Sequence, residues 1–223
     1  MAAPASAPPV RVWDRPLDEA VPALLPRLAR VARLRIEGTL HRAMYAKFLM
    51  PPFTTHPEPL YFLGSLAGRR FTPPRGPAGL YLSFDPSTPP AELRAVAFEH
   101  GLPVSTEAHD PIVTVAVRAV VHRVLDLGDG PTRRAVGLSR AEVRADWEPG
   151  QEEYLAGRGP MPATQLLALA THLSGLFAGI RYPSARTRFG ENLVVFPDRL
   201  ERARGDVLEV VDSTGQLVQR LPS

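Results

Sequence analysis

Between Pro51 and Pro77 the chain carries seven prolines and three glycines in 27 residues, a density that neither a helix nor a strand tolerates. The stretch is predicted to be one long loop, and connections of that length inside a compact domain are usually functional or disordered. On its N-terminal side Val21, Leu24, Leu25, Leu28, Val31 and Leu34 recur at three- and four-residue spacings. That pattern predicts an amphipathic helix from Leu17 to Leu34, interrupted near its start by Pro22 and Pro26. Thr39 to Tyr45 then reads as a short strand. On the C-terminal side Gly79 to Ser83 reads as a buried strand, and Pro89 to Val96 opens a helix with proline in its first turn. Pro111 to Leu127 holds a strand rich in β-branched valines, and Thr164 to Phe177 an amphipathic helix with Thr164 as its N-cap. Asn192 to Phe196, Val207 to Val211 and Gln216 to Leu221 complete the strands. No regular strand–helix–strand rhythm runs through this order and no internal repeat is visible, so the fold class is α+β rather than a Rossmann sheet.

Composition narrows the chemistry. A chain of 223 residues with 44% hydrophobic content builds a core large enough to need no staple. Zero cysteines exclude disulfides, Cys-ligated zinc, iron–sulfur clusters and a thiol nucleophile together. No apolar run approaches the roughly 20 residues of a membrane span, and the N-terminal segment lacks a signal-peptide core. A soluble, cytoplasmic protein is therefore expected, with residues 1–10 as a flexible tail, 11–38 as an N-terminal helical segment and 39–223 as the main domain. Net charge is +3, and of the 26 lysines and arginines only Lys47 is a lysine. The arginines are scattered, with neither aromatic interleaving nor a helix-turn-helix pattern, so nucleic-acid binding is an alternative rather than the leading reading.

Three segments carry candidate chemistry. The first is the loop exit, Gly68-Arg69-Arg70-Phe71-Thr72-Pro73-Pro74-Arg75-Gly76, which leads into Leu80-Tyr81-Leu82-Ser83. It delivers arginines to a strand end, where the planar guanidinium fork matches phosphate oxygens; the plain alternative is a surface loop of solvated arginines. The second is Glu92, eleven residues beyond Tyr81 and just inside a helix, where a carboxylate either complements the helix dipole or serves a reaction. The third is Gly179-Ile180-Arg181-Tyr182-Pro183-Ser184-Ala185-Arg186, then Gly190-Glu191-Asn192-Leu193-Val194-Val195-Phe196, which sets hydroxyl, guanidinium and amide groups at the mouth of a strand or is simply a helix–strand connection.

In order and spacing these segments resemble the RES family, named for an arginine, a glutamate and a serine. Its early-strand arginine looks like Arg42, its Gly-rich loop like Gly68 to Pro74, and its Leu-Tyr-Leu-Ser strand like Leu80 to Ser83. Its glutamate looks like Glu92 and its Arg-Tyr-Pro-Ser element like Arg181 to Ser184. The resemblance spans about Thr39 to Phe196. Departures are His41 and Ala43 beside Arg42, Phe71-Thr72 where the family has Trp-Asn, and Arg69 in place of a loop glycine.

The resemblance implies an ADP-ribosyltransferase-like fold, with mixed β-sheets flanked by helices, and a toxin that cleaves NAD⁺ between nicotinamide and ribose. ADP-ribose then passes to phosphate, a protein or water. By the same resemblance Arg42, Glu92 and Ser184 form the catalytic set, and Arg42, Arg70, Tyr81 and Ser184 contact NAD⁺, with no metal required. The implied partner is an antitoxin with an Xre-like helix-turn-helix region, through which alone nucleic acid is met. A catalytically inactive interaction module of the same fold is the other alternative, and turnover of NAD⁺ separates the two.

Overall fold

The valine-rich segment forms one uninterrupted fifteen-residue strand, β3 (Ile112–Asp126), along which β1 (Leu34–Tyr45) lies antiparallel from Leu34↔Val124 to Tyr45↔Ile112. In this computed structural model the described residues are 20–49, 61, 62, 64, 68–99, 111–212 and 214–222, with the backbone alone for 94–99. Five further strands complete a mixed sheet: β2 (Leu80–Ser83), β4 (Gly179–Pro183), β5 (Glu191–Val195), β6 (Val207–Val211) and β7 (Leu217–Leu221). Their order is β1-β2-β5-β4-β3-β6-β7, and β1 also pairs with β3, so β1, β2, β5, β4 and β3 close a ring. Only β3–β4 is parallel among the described pairs, and the chain between these strands supplies the long crossover that such a pair needs.

That crossover holds four helices, α3 (Gly130–Val136), α4 (Arg140–Arg144), α5 (Glu148–Leu155) and α6 (Ala163–Ser174). Before it come α1 (Ala20–Ala29) and α2 (Thr88–Glu99). Alternation along the strands divides the apolar residues between two cores. Leu193 and Val195 join Leu40, Leu80, Leu82 and Val117 on one face of the sheet. Val194 and Ile180 turn to the other, where α1, α3, α4 and α6 bury Val21, Leu28, Val136, Val143 and Leu167 against them. The mixed sheet flanked by helices agrees with the α+β expectation.

Several elements differ from the sequence reading in ways with physical causes. The first helix ends at Ala29 rather than Leu34, because Leu34 opens β1 and pairs with Val124. Pro26 lies inside that helix without ending it. The helix expected from Thr164 begins one residue earlier, with Pro162 at the N-cap and no side-chain cap; Thr164 is buried instead. It stops at Ser174 because Gly175 takes the left-handed conformation, φ 66°. Helices α3 and α4 were not expected, yet each is capped locally. Asp129 accepts from the Thr132 amide at 2.8 Å, and Ser139 with Glu142 forms a reciprocal capping box. The expected tail at residues 1–10 and most of residues 51–67 lie outside the described residues.

Candidate active site

Three neighbouring strands converge at one end of the ring. β2 lies between β1 and β5, which places Ser83 opposite His41 on one side and opposite Asn192 on the other. Arg42, next along β1, lines a cleft of about 600 Å³ together with Tyr81, Ser83, Glu92, Arg186 and Asn192. This volume falls within the range of small-molecule sites. Trp147 and Tyr182 add aromatic wall.

Glu92 comes from α2, whose start is held by Asp85: its carboxylate accepts from the amides of Ser87 and Thr88 at 3.0 and 2.9 Å. Because the helix begins at Thr88, Glu92 is its fifth residue and lies beyond the first turn. The dipole acts mainly within that turn, so dipole complementation does not account for this residue. Its partners do. Ser184 Oγ donates to Glu92 Oε1 at 2.7 Å, and Asn192 Nδ2 donates to the same oxygen at 2.9 Å.

Each donor is fixed in turn. The Ser184 hydroxyl, 1% exposed, accepts from the backbone amides of Arg186 and Thr187 at 3.0 and 3.1 Å. With both acceptor positions filled, its single proton is left for Glu92. Asn192, 2% exposed, accepts from Ser83 Oγ at 2.6 Å through Oδ1, which turns Nδ2 toward the carboxylate. The loop from Ser184 to Gly190 is drawn tight against α2. A side chain at Gly190 would collide with Thr187 Oγ1 and Thr88 Oγ1.

Tyr81 crosses to the loop exit. Its hydroxyl accepts from the Phe71 amide at 3.1 Å and meets Thr72 Oγ1 at the same distance. Gly79 permits this approach, since a Cβ there would lie 2.5 Å from Thr72 Cγ2 and 2.9 Å from Val194 Cγ2. Burial pushes the Tyr81 phenol up to about 12, against the lowering pull of its bonds to Thr72 and Phe71. Tyr182 is raised well above its ordinary value by burial first and then by the nearby Glu92 charge. Burial also pushes the Arg42 guanidinium down to about 10, so at neutral pH it remains a cation, partly buried at the cleft wall. The Arg186 guanidinium is lowered by burial, with Glu92 pulling the other way.

Of the residues expected at the site, Arg42, Arg70, Tyr81 and Glu92 line the cleft. Ser184 does not; it stands behind Glu92 and reaches the cleft through it. Arg70 is largely committed elsewhere. Its Nη1 donates to the Val143 carbonyl at 3.1 Å and also to the Ala145 carbonyl, tying the loop to the C-terminal end of α4 just before Trp147. Arg181 faces away into an ion pair with Glu191, with Asp126 at 3.4 Å. Asn192, Ser83 and Arg186 lay inside the segments singled out in the sequence but were not among the residues expected to act at the site; all three line the cleft. The signal for Asn192 was the strand pairing of Leu80 to Ser83 with Asn192 to Val195, which periodicity alone does not register. Among the described residues no group of three or more His, Cys, Asp or Glu is placed to hold a metal ion, and no helix is long and apolar enough to cross a membrane.

Comparison with known proteins adds two findings. The family model described as the RES domain matches residues 12–217. Among solved structures, that of the M. tuberculosis MbcT–MbcA toxin–antitoxin complex contains a chain similar in fold to this one. The TM-score is 0.58 at 19% identity, covering 92% of this chain and 93% of that one. No curated protein matches.

Proposed function

Because the chain belongs to the RES domain family, we propose that it is the toxin of a toxin–antitoxin pair and that it cleaves NAD⁺ at the bond between nicotinamide and ribose. The observation that carries this reading is the double anchoring of one Glu92 oxygen by Ser184 and Asn192 at the wall of a nucleotide-sized cleft. As nicotinamide leaves, positive charge develops on the ribose. A carboxylate already fixed beside it stabilises that charge more than the ground state, which is the condition for catalysis. Glu92 takes this role through its second oxygen, directly or through a ribose hydroxyl.

Arg42 and Arg186 supply the positive charge for the pyrophosphate, and Arg42 acts in a poorly solvated setting where its attraction is strengthened. Arg70 contributes its field while its bonds to Val143 and Ala145 fix the wall that carries Trp147. The Tyr81 ring packs against nicotinamide or ribose. Ser184 acts on substrate through Glu92 rather than by contact. The ADP-ribosyl group passes to phosphate, a protein side chain or water. The partner is an antitoxin that covers the cleft, in keeping with the toxin–antitoxin complex in which the similar fold occurs, and by family resemblance it carries an Xre-like helix-turn-helix region. Incubating purified protein with NAD⁺, with and without phosphate, and identifying the products tests the reading. Nicotinamide release is expected, and its absence at every phosphate concentration overturns it.

A further inference from the structure

One Glu92 oxygen is held by Ser184 and by Asn192, and the Asn192 arm is a chain of side chains that begins with Ser83 on the neighbouring strand. Ser83 and Asn192 are direct cross-strand partners in the β2–β5 pair, so their side chains lie on the same face of the sheet by register alone. Both are buried, at 3% and 2% exposure, and both stand at the cleft. The Asn192 amide has an oxygen and a nitrogen end that differ only by a flip. With Oδ1 on Ser83 and Nδ2 on Glu92 Oε1, every contact is donor to acceptor. Flipped, the amide oxygen would face the carboxylate oxygen, acceptor against acceptor.

We propose that Ser83 and Asn192 form a positioning pair, in which the acceptor-only Glu92 carboxylate sets which end of the Asn192 amide faces it, Ser83 anchors the amide in place through Oδ1, and Asn192 fixes Glu92 Oε1 so that Oε2 is presented to the ribose. The proposal rests on the NAD⁺ reading for its consequence in catalysis, while the pair itself is a property of the fold. Ser184 bonds the same Glu92 oxygen, and its own partners are the Arg186 and Thr187 amides rather than either member of the pair, so it is a second anchor on that oxygen. Asn192 holds the carboxylate directly. Ser83 has leverage only through Asn192.

A double-mutant cycle in the full-length protein tests this order of action. Asn192→Ala removes a hydrogen bond to a charged group, and kcat for nicotinamide release is expected to fall on the order of 10- to 100-fold with KM little changed. Ser83→Ala is expected to cost less, about 3- to 10-fold in kcat, by removing the bond that holds the Asn192 amide in place. In the Asn192→Ala background the Ser83→Ala change should have no further effect on kcat. A second readout needs no activity: the Asn192 side-chain NH₂ resonances in a ¹⁵N correlation spectrum should move in both Ser83→Ala and Glu92→Gln protein. Full additivity of the two kcat losses, or Asn192 resonances indifferent to Ser83→Ala, overturns the pair. A wild-type protein that releases no nicotinamide instead overturns the functional reading, and the spectrum then decides on the pair alone.

Discussion

Arg70 and Val143 are separated by 73 positions in sequence, yet the Arg70 guanidinium donates to the Val143 carbonyl at 3.1 Å and so ties the proline-rich loop to the end of α4. The same nitrogen reaches Ala145, two residues before Trp147 at the cleft wall. A cation at a helix C-terminus satisfies carbonyls that have no partner within the helix. Arg70, which lines the cleft, is thus also a structural tie. Arg70→Ala should lower stability by about 2–3 kcal/mol, the scale of losing charged hydrogen bonds to buried carbonyls, which is roughly 5–10 °C in Tm. A calorimetric scan checks it. An unchanged Tm combined with a large rise in KM for NAD⁺ would return Arg70 to a role confined to substrate.

Gly190 makes a second point testable. Its missing side chain is what lets the Ser184 loop approach Thr88 at the start of α2, and a methyl group there runs into Thr187 Oγ1. Gly190→Ala must displace that loop, and with it the amides of Arg186 and Thr187 that fix the Ser184 hydroxyl. Turnover should fall on the order of 100-fold, the scale of a misplacement near 1 Å at a catalytic group. Single-turnover measurements of nicotinamide release alongside Tm check this. Wild-type turnover would show that the position of Ser184 does not govern Glu92.

Tyr81 and Tyr182 predict how the fold responds to alkali. Burial raises Tyr81 to about 12 and Tyr182 well above 10, so the folded protein holds both phenolic protons more tightly than the unfolded chain does. Their contribution is complete below the unfolded value near 10 and is lost as pH rises through the folded values. Absorbance at 295 nm should show Tyr81 still protonated at pH 11 and Tyr182 ionising above the ordinary phenol range, with stability falling as the pH approaches 12. Difference titrations against Tyr81→Phe and Tyr182→Phe isolate each signal. Reversible ionisation of either phenol near pH 10 in folded protein contradicts the burial account.

What the sequence disclosed depended on how far each contact reaches along it. Glu92 and Ser184 were singled out together by the family resemblance in residue type, order and spacing, and the structure brings them within 2.7 Å of each other. The valines of β3 and the alternation of Leu80 to Ser83 likewise announce strands locally. The Asn192 amide was noted in the sequence, but its bonds to Ser83 and Glu92 were not legible, because Ser83 lies 109 positions away and only the β2–β5 register brings them together. The tie made by Arg70 was not legible for the same reason: its acceptors are backbone carbonyls, which carry no residue-type signal. The short helices α3 and α4 lacked the length for apolar periodicity, although the Ser139 to Glu142 spacing is a capping-box signature in its own right.

The proposed partner gives a cellular prediction. An antitoxin that covers the cleft and NAD⁺ exclude one another, and the arginines that line it, Arg42 and Arg186 among them, suit a carboxylate or chain terminus of the partner. Expression of the chain alone should arrest growth and lower cellular NAD⁺, and coexpression of the antitoxin should restore both. Sustained growth with folded protein and unchanged NAD⁺ would count against the toxin reading.

The central claim is that Glu92 stabilises charge developing on the ribose, and Glu92→Gln isolates it, because the substitution keeps the shape and removes the charge. Nicotinamide release under saturating NAD⁺ should fall at least about 100-fold in the variant, the scale of one transition-state electrostatic contact, while NAD⁺ affinity and Tm change little. Turnover within a few-fold of wild type, or a loss explained by a collapsed Tm, would contradict it.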